Sequence, residues 1–129
     1  IICLEIYIDI FASFSGITNL RIKTTVQSLI GSINLSFYMD CLDSLIKNSV
    51  NEINLLIHTD GSLSAEDEQL FQQRFGSIVN ISDCERSKEC VLDHLKNRPN
   101  CQRYRMDSLW GIEFFDPIFA IPNDPISFY

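Results

Sequence analysis

The spacing of apolar and polar residues changes several times along this chain, and each change predicts a new element. Near the middle, the segment from Ile53 to Ile57 is almost continuously apolar, which is typical of a short buried strand. It ends at the polar segment from His58 to Gly61, and the residues from Ser64 to Asp67 then favour a helix start. A buried strand, a polar turn and a new helix form half of a βαβ unit. Open α/β sheets bind ligands at the carboxyl ends of such strands.

Two elements are predicted before this unit. The segment from Asn19 to Ser28 is rich in β-branched residues and favours a strand, with a loop from Leu29 to Ser32 after it. The segment from Asn34 to Asn48 has helical spacing, with Ser36 as its N-cap. The buried stripe of this helix is expected to contain Phe37, Tyr38, Cys41, Leu42, Leu45 and Ile46.

The beginning of the chain is the hardest part to assign. The apolar residues from Ile1 to Phe14 are interrupted by Glu5 and Asp9, and they suit a buried strand as well as an apolar helix. We interpret residues 1–18 as an irregular or helical arm. No apolar run reaches the roughly 20 residues that a membrane-spanning helix needs, so no membrane span is predicted.

Two helices and a short strand between them are predicted directly after the central strand and its turn. The first helix begins at Ser64, ends at Gly76, and buries Leu70, Phe71 and Phe75. A strand from Ser77 to Ile81 follows. A capping box from Ser82 to Glu85 then starts a helix that reaches about His94 to Lys96, with an apolar stripe of Cys84, Val91, Leu92 and Leu95.

The last third of the chain predicts one more helix and the start of a strand. A helix or helical loop covers Cys101 to Phe115, and the strand begins with Ile126 to Tyr129, so the chain is expected to continue beyond Tyr129. The order β-α-β-α-β-α-(α)-β predicts a single α/β domain over residues 1–129. We expect a three-layer, Rossmann-like fold with a mostly parallel, doubly wound sheet and helices on both faces.

Composition narrows the classes of partner. The net charge of −7 and the 46% content of hydrophobic residues describe a globular, acidic protein, which argues against binding to nucleic acid or to anionic membranes. The five cysteines are an odd number and contain no CxxC pair, so reduced thiols and a cytoplasmic location are expected. The cysteines are Cys3, Cys41, Cys84, Cys90 and Cys101.

A few residues could contact a ligand. Asp60 and Gly61 follow the central strand, although an Asp-Gly pair is more commonly a simple turn. His58 could act as a base or a ligand, but a single histidine at a strand end is more often structural. Arg103 and Arg105 could bind phosphate through their guanidinium groups, or lie on a solvated helix face. No glycine-rich phosphate loop and no catalytic constellation is present, so no catalytic residue is named.

The segment HTDGSLSAEDEQLF, with an apolar strand before it, resembles the second βα unit of nucleotide-sugar glycosyltransferases with the GT-A fold. In that group a strand often ends in a T-D-G-S-L-like turn, and a helix with acidic residues follows. The preceding FYMDCLDSLIKNS is similar to the helix after their first strand, and SIVNIS to their next short strand. LWGIEFFDPIFAIPNDPISFY resembles the approach to their metal-binding strand, so the likeness covers about Asn19 to Tyr129.

The resemblance implies binding of a nucleotide-sugar donor and transfer of its sugar to an acceptor. It implies that Gln27 and Ser28, at the end of the first strand, contact the base or ribose, although an ordinary loop start explains them equally well. Asp60 and Gly61 are the candidate nucleotide contacts at the end of the central strand. The resemblance also implies a D-x-D motif after Tyr129 that holds Mn²⁺ or Mg²⁺ in the complete protein, so this chain alone is expected to be inactive.

Two other classes remain open. A non-catalytic α/β domain that binds a protein partner or a small ligand suits the lack of a catalytic constellation. A flavodoxin-like or receiver-like domain is the third possibility, although the acidic pair that a receiver needs after its first strand is not visible.

Overall fold

The computed structural model describes residues 5–8 and 23–120. A 3₁₀ turn at Gly76–Ile78 precedes the last strand. The strands and helices, in chain order, are β1 (Glu5–Ile8), β2 (Lys23–Ile30), α1 (Leu35–Asn48), β3 (Glu52–Thr59), α2 (Ala65–Phe75), β4 (Val79–Ile81), α3 (Cys84–His94), α4 (Pro99–Asp107) and α5 (Leu109–Phe119).

The four strands form one sheet in the order β1-β2-β3-β4. Strands β2, β3 and β4 are parallel, and β1 pairs antiparallel with β2. The prediction of an α/β fold with a mostly parallel sheet is therefore confirmed as a fold class. The β2–β3 pair is the longest, with eight residues of each strand in register from Lys23 opposite Glu52 to Ile30 opposite Thr59.

Strand β1 differs from the sequence prediction, because Glu5–Ile8 lies within the segment expected to be an irregular or helical arm. Its short apolar pattern is compatible with a helix as well as with a strand. It forms a strand because it pairs antiparallel with residues 24–27 of β2. The rest of residues 1–18, and the strand expected at Ile126–Tyr129, lie outside the described residues.

Helices α1 and α2 pack on the same face of the sheet. Each lies in a connection between adjacent parallel strands, and right-handed crossovers in the same direction place both helices on one side. The core of this face consists of Val26, Ile30, Met39, Leu42, Ile53, Leu55, Ile57, Phe71, Phe75 and Val79. Phe37 and Leu70, which were expected to be buried, are 57% and 48% exposed. With 3.6 residues per turn, Phe37 lies across α1 from the buried Met39 and Leu42, and Leu70 lies to one side of the buried Phe71 and Phe75 of α2.

The local helix signals were partly correct. The capping box of α2 is confirmed, since the Ser64 hydroxyl accepts a hydrogen bond from the Asp67 amide and the Asp67 carboxylate accepts one from the Ser64 amide. Helix α3 instead begins after Asp83, whose carboxylate accepts from the amide of Arg86 at 2.9 Å. The predicted cap at Ser82 was wrong because the Ser82 amide pairs with the carbonyl of Ile57 in β3.

The β2–α1 connection is shorter than expected. Strand β2 continues through Leu29 and Ile30, which were predicted to be loop, because their partners in β3 extend the ladder. Helix α1 then begins after Asn34, not after Ser36, and Asn34 has a left-handed backbone with φ of 60°. The turn between strand and helix is therefore only four residues long, from Gly31 to Asn34.

The single helix predicted over Cys101–Phe115 is two helices, α4 and α5, which meet at Ser108. Their backbones touch at Gly111, where an added Cβ atom would lie 2.6 Å from the Cα atom of Arg105. Helix α5 also contacts β2 and β3. A second core of Val91, Leu95 and Phe115 joins α5 to α3.

The contact at Gly111 gives the first prediction. Glycine to alanine in a helix normally stabilises it by about 0.5–1 kcal/mol, because alanine loses less conformational entropy. Gly111→Ala should instead lower the free energy of unfolding by about 1–3 kcal/mol, since the methyl group forces α4 and α5 apart. Urea unfolding measures the change. A neutral or stabilising effect would show that the two backbones are not in contact.

Candidate ligand cleft at the carboxyl edge of the sheet

A cleft of about 400 Å³ opens where β2 and β3 end. Its floor is formed by the carboxyl ends of the two strands, and its walls by the first turns of α1 and α5. The lining residues are Ser28, Leu29, Gly31, Ile33, Asn34, Tyr38, Asp60, Leu109, Trp110 and Glu113. The cleft therefore occupies the edge at which parallel α/β sheets bind ligands.

Hydrogen bonds join the two loops at the floor of the cleft. The Ser62 amide and hydroxyl both donate to Oδ1 of Asp60, at 2.9 and 2.5 Å. The Ser62 hydroxyl oxygen in turn accepts from the Ser32 amide, at 2.8 Å, and so connects the β3–α2 loop to the β2–α1 loop. In the described part of the chain no group donates to Oδ2 of Asp60, so one carboxylate oxygen remains free to accept a hydrogen bond from a ligand.

Two glycines allow the loops to approach in this way. A Cβ atom at Gly31 would lie 2.6 Å from Oδ2 of Asp60 and 3.0 Å from the Ser62 hydroxyl, so a side chain there would displace both. Gly61 has φ of +88°, a backbone conformation that favours glycine. The interpretation of Asp60-Gly61 as a turn is therefore confirmed, and the same turn orients the Asp60 carboxylate.

The walls of the cleft combine aromatic rings with acceptors. Tyr38 comes from α1, while Trp110 and Glu113 come from α5. The described residues of the lining include no Lys or Arg, so they supply no side-chain cation. The sequence analysis placed Trp110 and Glu113 within the segment Cys101–Phe115 and singled out neither, because their place at the cleft depends on how α5 packs against the sheet.

Gln27 lies beside the cleft and not in its lining. Its Oε1 atom is 2.7 Å from Nε2 of His58, and both side chains are buried on the sheet face opposite α1 and α2. Burial lowers the pKa of His58 to about 4, so its imidazole is neutral near pH 7. Its Nδ1 atom is buried without a hydrogen-bond partner among the described residues. His58 is thus a buried structural residue of the sheet.

Arg105 is held in a buried ion pair. Its Nε and Nη2 atoms donate to the two carboxylate oxygens of Asp116, at 2.9 and 2.8 Å, and the two residues are only 4% and 2% exposed. Burial raises the pKa of Asp116, while the hydrogen bond and charge of Arg105 oppose that rise. The pair joins α4 to α5, so the guanidinium group of Arg105 is already occupied inside the protein.

The remaining predicted residues are dispersed. Arg103 has a side chain that is 84% exposed and pairs with Asp107 at 3.5 Å, away from the cleft lining. Gly61 is exposed and lies near the thiol of Cys84. Of the six residues predicted to bind nucleotide, the structure brings Ser28 and Asp60 together in the lining and leaves Gln27, Gly61, Arg103 and Arg105 outside it.

The described residues supply no group of three or more His, Cys, Asp or Glu side chains that could hold a metal ion. Asp40 and Asp43 are adjacent on α1, but both carboxylates pair with Arg74 of α2. The divalent ion implied by the resemblance therefore remains an expectation. Within the same described part, no helix has the length and apolar character to cross a membrane.

The His58 site predicts a pH effect. Below about pH 6.5 the unfolded chain takes up a proton at His58, but the folded chain does so only near pH 4. Stability should therefore fall as the pH drops from 6.5 to 5, by up to about 1.4 kcal/mol per pH unit. Urea unfolding should show this slope, and His58→Gln should remove it. In NMR spectra, a His58 ring signal that titrates above pH 6 would contradict neutral burial.

The ion pair predicts an asymmetric response to mutation. Asp116→Asn leaves the guanidinium group of Arg105 buried without its counter-charge, and should cost about 3–5 kcal/mol of unfolding free energy. The double variant Arg105→Met/Asp116→Leu should cost less than this single change. Urea unfolding tests both. A loss below about 1 kcal/mol in Asp116→Asn would indicate a solvated pair.

Searches of known protein families, curated proteins and solved structures found no match for this chain. The function must therefore be argued from the cleft, from the hydrogen bonds that orient its carboxylate and from the side chains of its walls.

Proposed function

We propose that this domain binds a nucleotide-sugar donor in the cleft and forms the donor-binding part of a glycosyltransferase with a GT-A-like fold. One observation carries the proposal. Asp60 stands at the carboxyl end of β3 with Oδ1 fixed by Ser62 and Oδ2 free, in a cleft that has aromatic walls. The resemblance of the HTDGSLS segment to the second βα unit of these enzymes supports the same assignment.

A nucleoside matches the chemistry of these walls. Its ribose hydroxyls can donate to the free oxygen of Asp60, and the hydroxyl of Ser28 lies on the same floor. Its planar base can stack on Trp110 or Tyr38, whose rings provide large apolar faces. A volume of about 400 Å³ is within the range of small-molecule sites.

The diphosphate needs a cation from elsewhere, because the lining, as far as the structure describes it, contains the carboxylates of Asp60 and Glu113 and no Lys or Arg. In a complete transferase a divalent ion would neutralise the charge that develops on the leaving nucleoside diphosphate. The described residues offer no group of three or more His, Cys, Asp or Glu side chains that could hold such an ion. The role proposed for this chain is therefore binding and orientation of the nucleoside end.

A second candidate is a non-catalytic α/β domain that binds a protein or a small apolar ligand. It is favoured by the apolar side chains around the cleft, since Ile33, Leu109 and Trp110 are 78%, 58% and 52% exposed. Apolar side chains gathered at the mouth of a cleft are typical of interaction surfaces.

Trp110 is the single tryptophan of the chain, so its fluorescence reports directly on the cleft. Titration with GDP, UDP and their sugar conjugates, with and without Mn²⁺, should quench or shift this emission. Asp60→Asn should weaken binding about tenfold or more, because the hydrogen bond to a charged oxygen is lost.

Asp93→Asn, an exposed carboxylate change on α3, serves as the matched control and should bind like the unmodified chain. Calorimetry gives the affinities independently of fluorescence. If no nucleotide binds to the folded chain in either measurement, the proposal fails and the interaction domain becomes the better assignment.

A further inference from the structure

The two carboxylates of the cleft differ in how many acceptor atoms they can offer. Oδ1 of Asp60 already accepts two hydrogen bonds from Ser62, so Asp60 presents one free oxygen. Among the described residues no group donates to either oxygen of Glu113, and its side chain is half-buried at the cleft wall. Glu113 therefore presents two adjacent acceptors, which suits a ligand group with two parallel N–H donors.

Glu113 lies beside an aromatic ring on a wall that is firmly held. Trp110 is three residues earlier on α5, and residues three apart are neighbours on a helix surface. The wall is fixed to α4 by the buried Arg105–Asp116 pair and by the backbone contact at Gly111. A planar group that stacks on Trp110 would thus bring its edge close to the two carboxylate oxygens of Glu113.

Among the common nucleobases, guanine matches this arrangement best. Its N1–H and exocyclic N2–H groups are adjacent and parallel, so one carboxylate can accept from both. Uracil has a single N–H between two carbonyl groups that a carboxylate would repel. Adenine and cytosine place a ring acceptor beside their amino group. Hypoxanthine keeps the N1–H of guanine but lacks the 2-amino group.

We propose that the cleft recognises guanine through Glu113, so that the sugar nucleotide of this domain is a GDP-sugar. The inference rests on the proposed function, since it assumes that the cleft accepts a nucleoside. It extends that function by assigning the base and the residue that selects it. The role of Asp60 is then limited to one hydrogen bond, to a ribose hydroxyl.

The ribose diol is the other pair of adjacent donors in a nucleotide, and the experiment must separate it from guanine. Trp110 fluorescence is followed during titrations with GDP, IDP and UDP under the same ionic conditions. The three ligands share the ribose and the diphosphate, and GDP differs from IDP only in the 2-amino group. GDP should bind about tenfold or more tightly than IDP or UDP, since a bidentate base contact discriminates by that amount.

The variant Glu113→Gln replaces one carboxylate oxygen, an acceptor, by an amide NH2 group, a donor. It should therefore bring the affinity for GDP close to that for IDP. Its affinity for UDP should not fall. Glu89→Gln, an exposed change on α3, is the matched control and should keep the preference for GDP. Circular dichroism of each variant checks the fold, and the comparison of the three nucleotides on the unmodified chain does not depend on any variant.

The possible results distinguish a failure of the guanine assignment from a failure of nucleotide binding itself. Equal binding of GDP and IDP, or tighter binding of UDP, overturns the assignment of guanine and leaves nucleotide binding intact. Loss of all three affinities in Glu113→Gln would assign Glu113 to the ribose and overturn the inference as well. Binding of none of the three by the folded, unmodified chain would overturn the proposed function itself.

Discussion

The parallel pairing of β2 with β3 is the constraint on which the cleft depends. Eight residues of each strand are in register, so both strands end at the same edge and both following loops emerge side by side. The loops are then close enough for the Ser62 hydroxyl to bond the Ser32 amide. Without this pairing, Asp60 would be an ordinary turn residue, because nothing would place its free oxygen opposite α1 and α5.

The second wall of the cleft depends on tertiary packing. Helix α5 combines the close backbone contact at Gly111 with the buried pair of Arg105 and Asp116. Burying two charges costs free energy that their mutual attraction offsets only when the geometry is good, as it is in this bidentate contact. The pair is therefore better understood as a device that fixes how α4 and α5 pack than as a source of net stability.

The elements with local determinants were the ones that the sequence could predict. Strand β3 and helix α2 have a compact apolar run, a D-G turn and a capping box within 25 residues, and each of these signals acts on its neighbours in the chain. The pairing of β1 depends on residues 24–27 of β2, so the periodicity of β1 could not reveal it. The break at Ser108 accompanies the close packing of α4 on α5, which periodicity does not report either. Arg105 illustrates the same limit, because an Arg-Tyr-Arg segment does not disclose which arginine a distant aspartate will bury. Asp60 could be placed at the strand end, but Trp110 and Glu113 could not be placed opposite it.

Gly31 also has a consequence for the evolution of this chain. Its missing side chain leaves the space that the Asp60 carboxylate occupies, so the two positions form a steric unit although they are 29 residues apart in sequence. A change of Gly31 to a larger residue would be selected against while Asp60 is needed, and better tolerated once residue 60 is small and the Ser62 hydroxyl, 3.0 Å from the added Cβ atom, can move. Among relatives of this chain, the two positions are therefore expected to covary, and their joint variation would distinguish lineages that keep the cleft from lineages that have lost it.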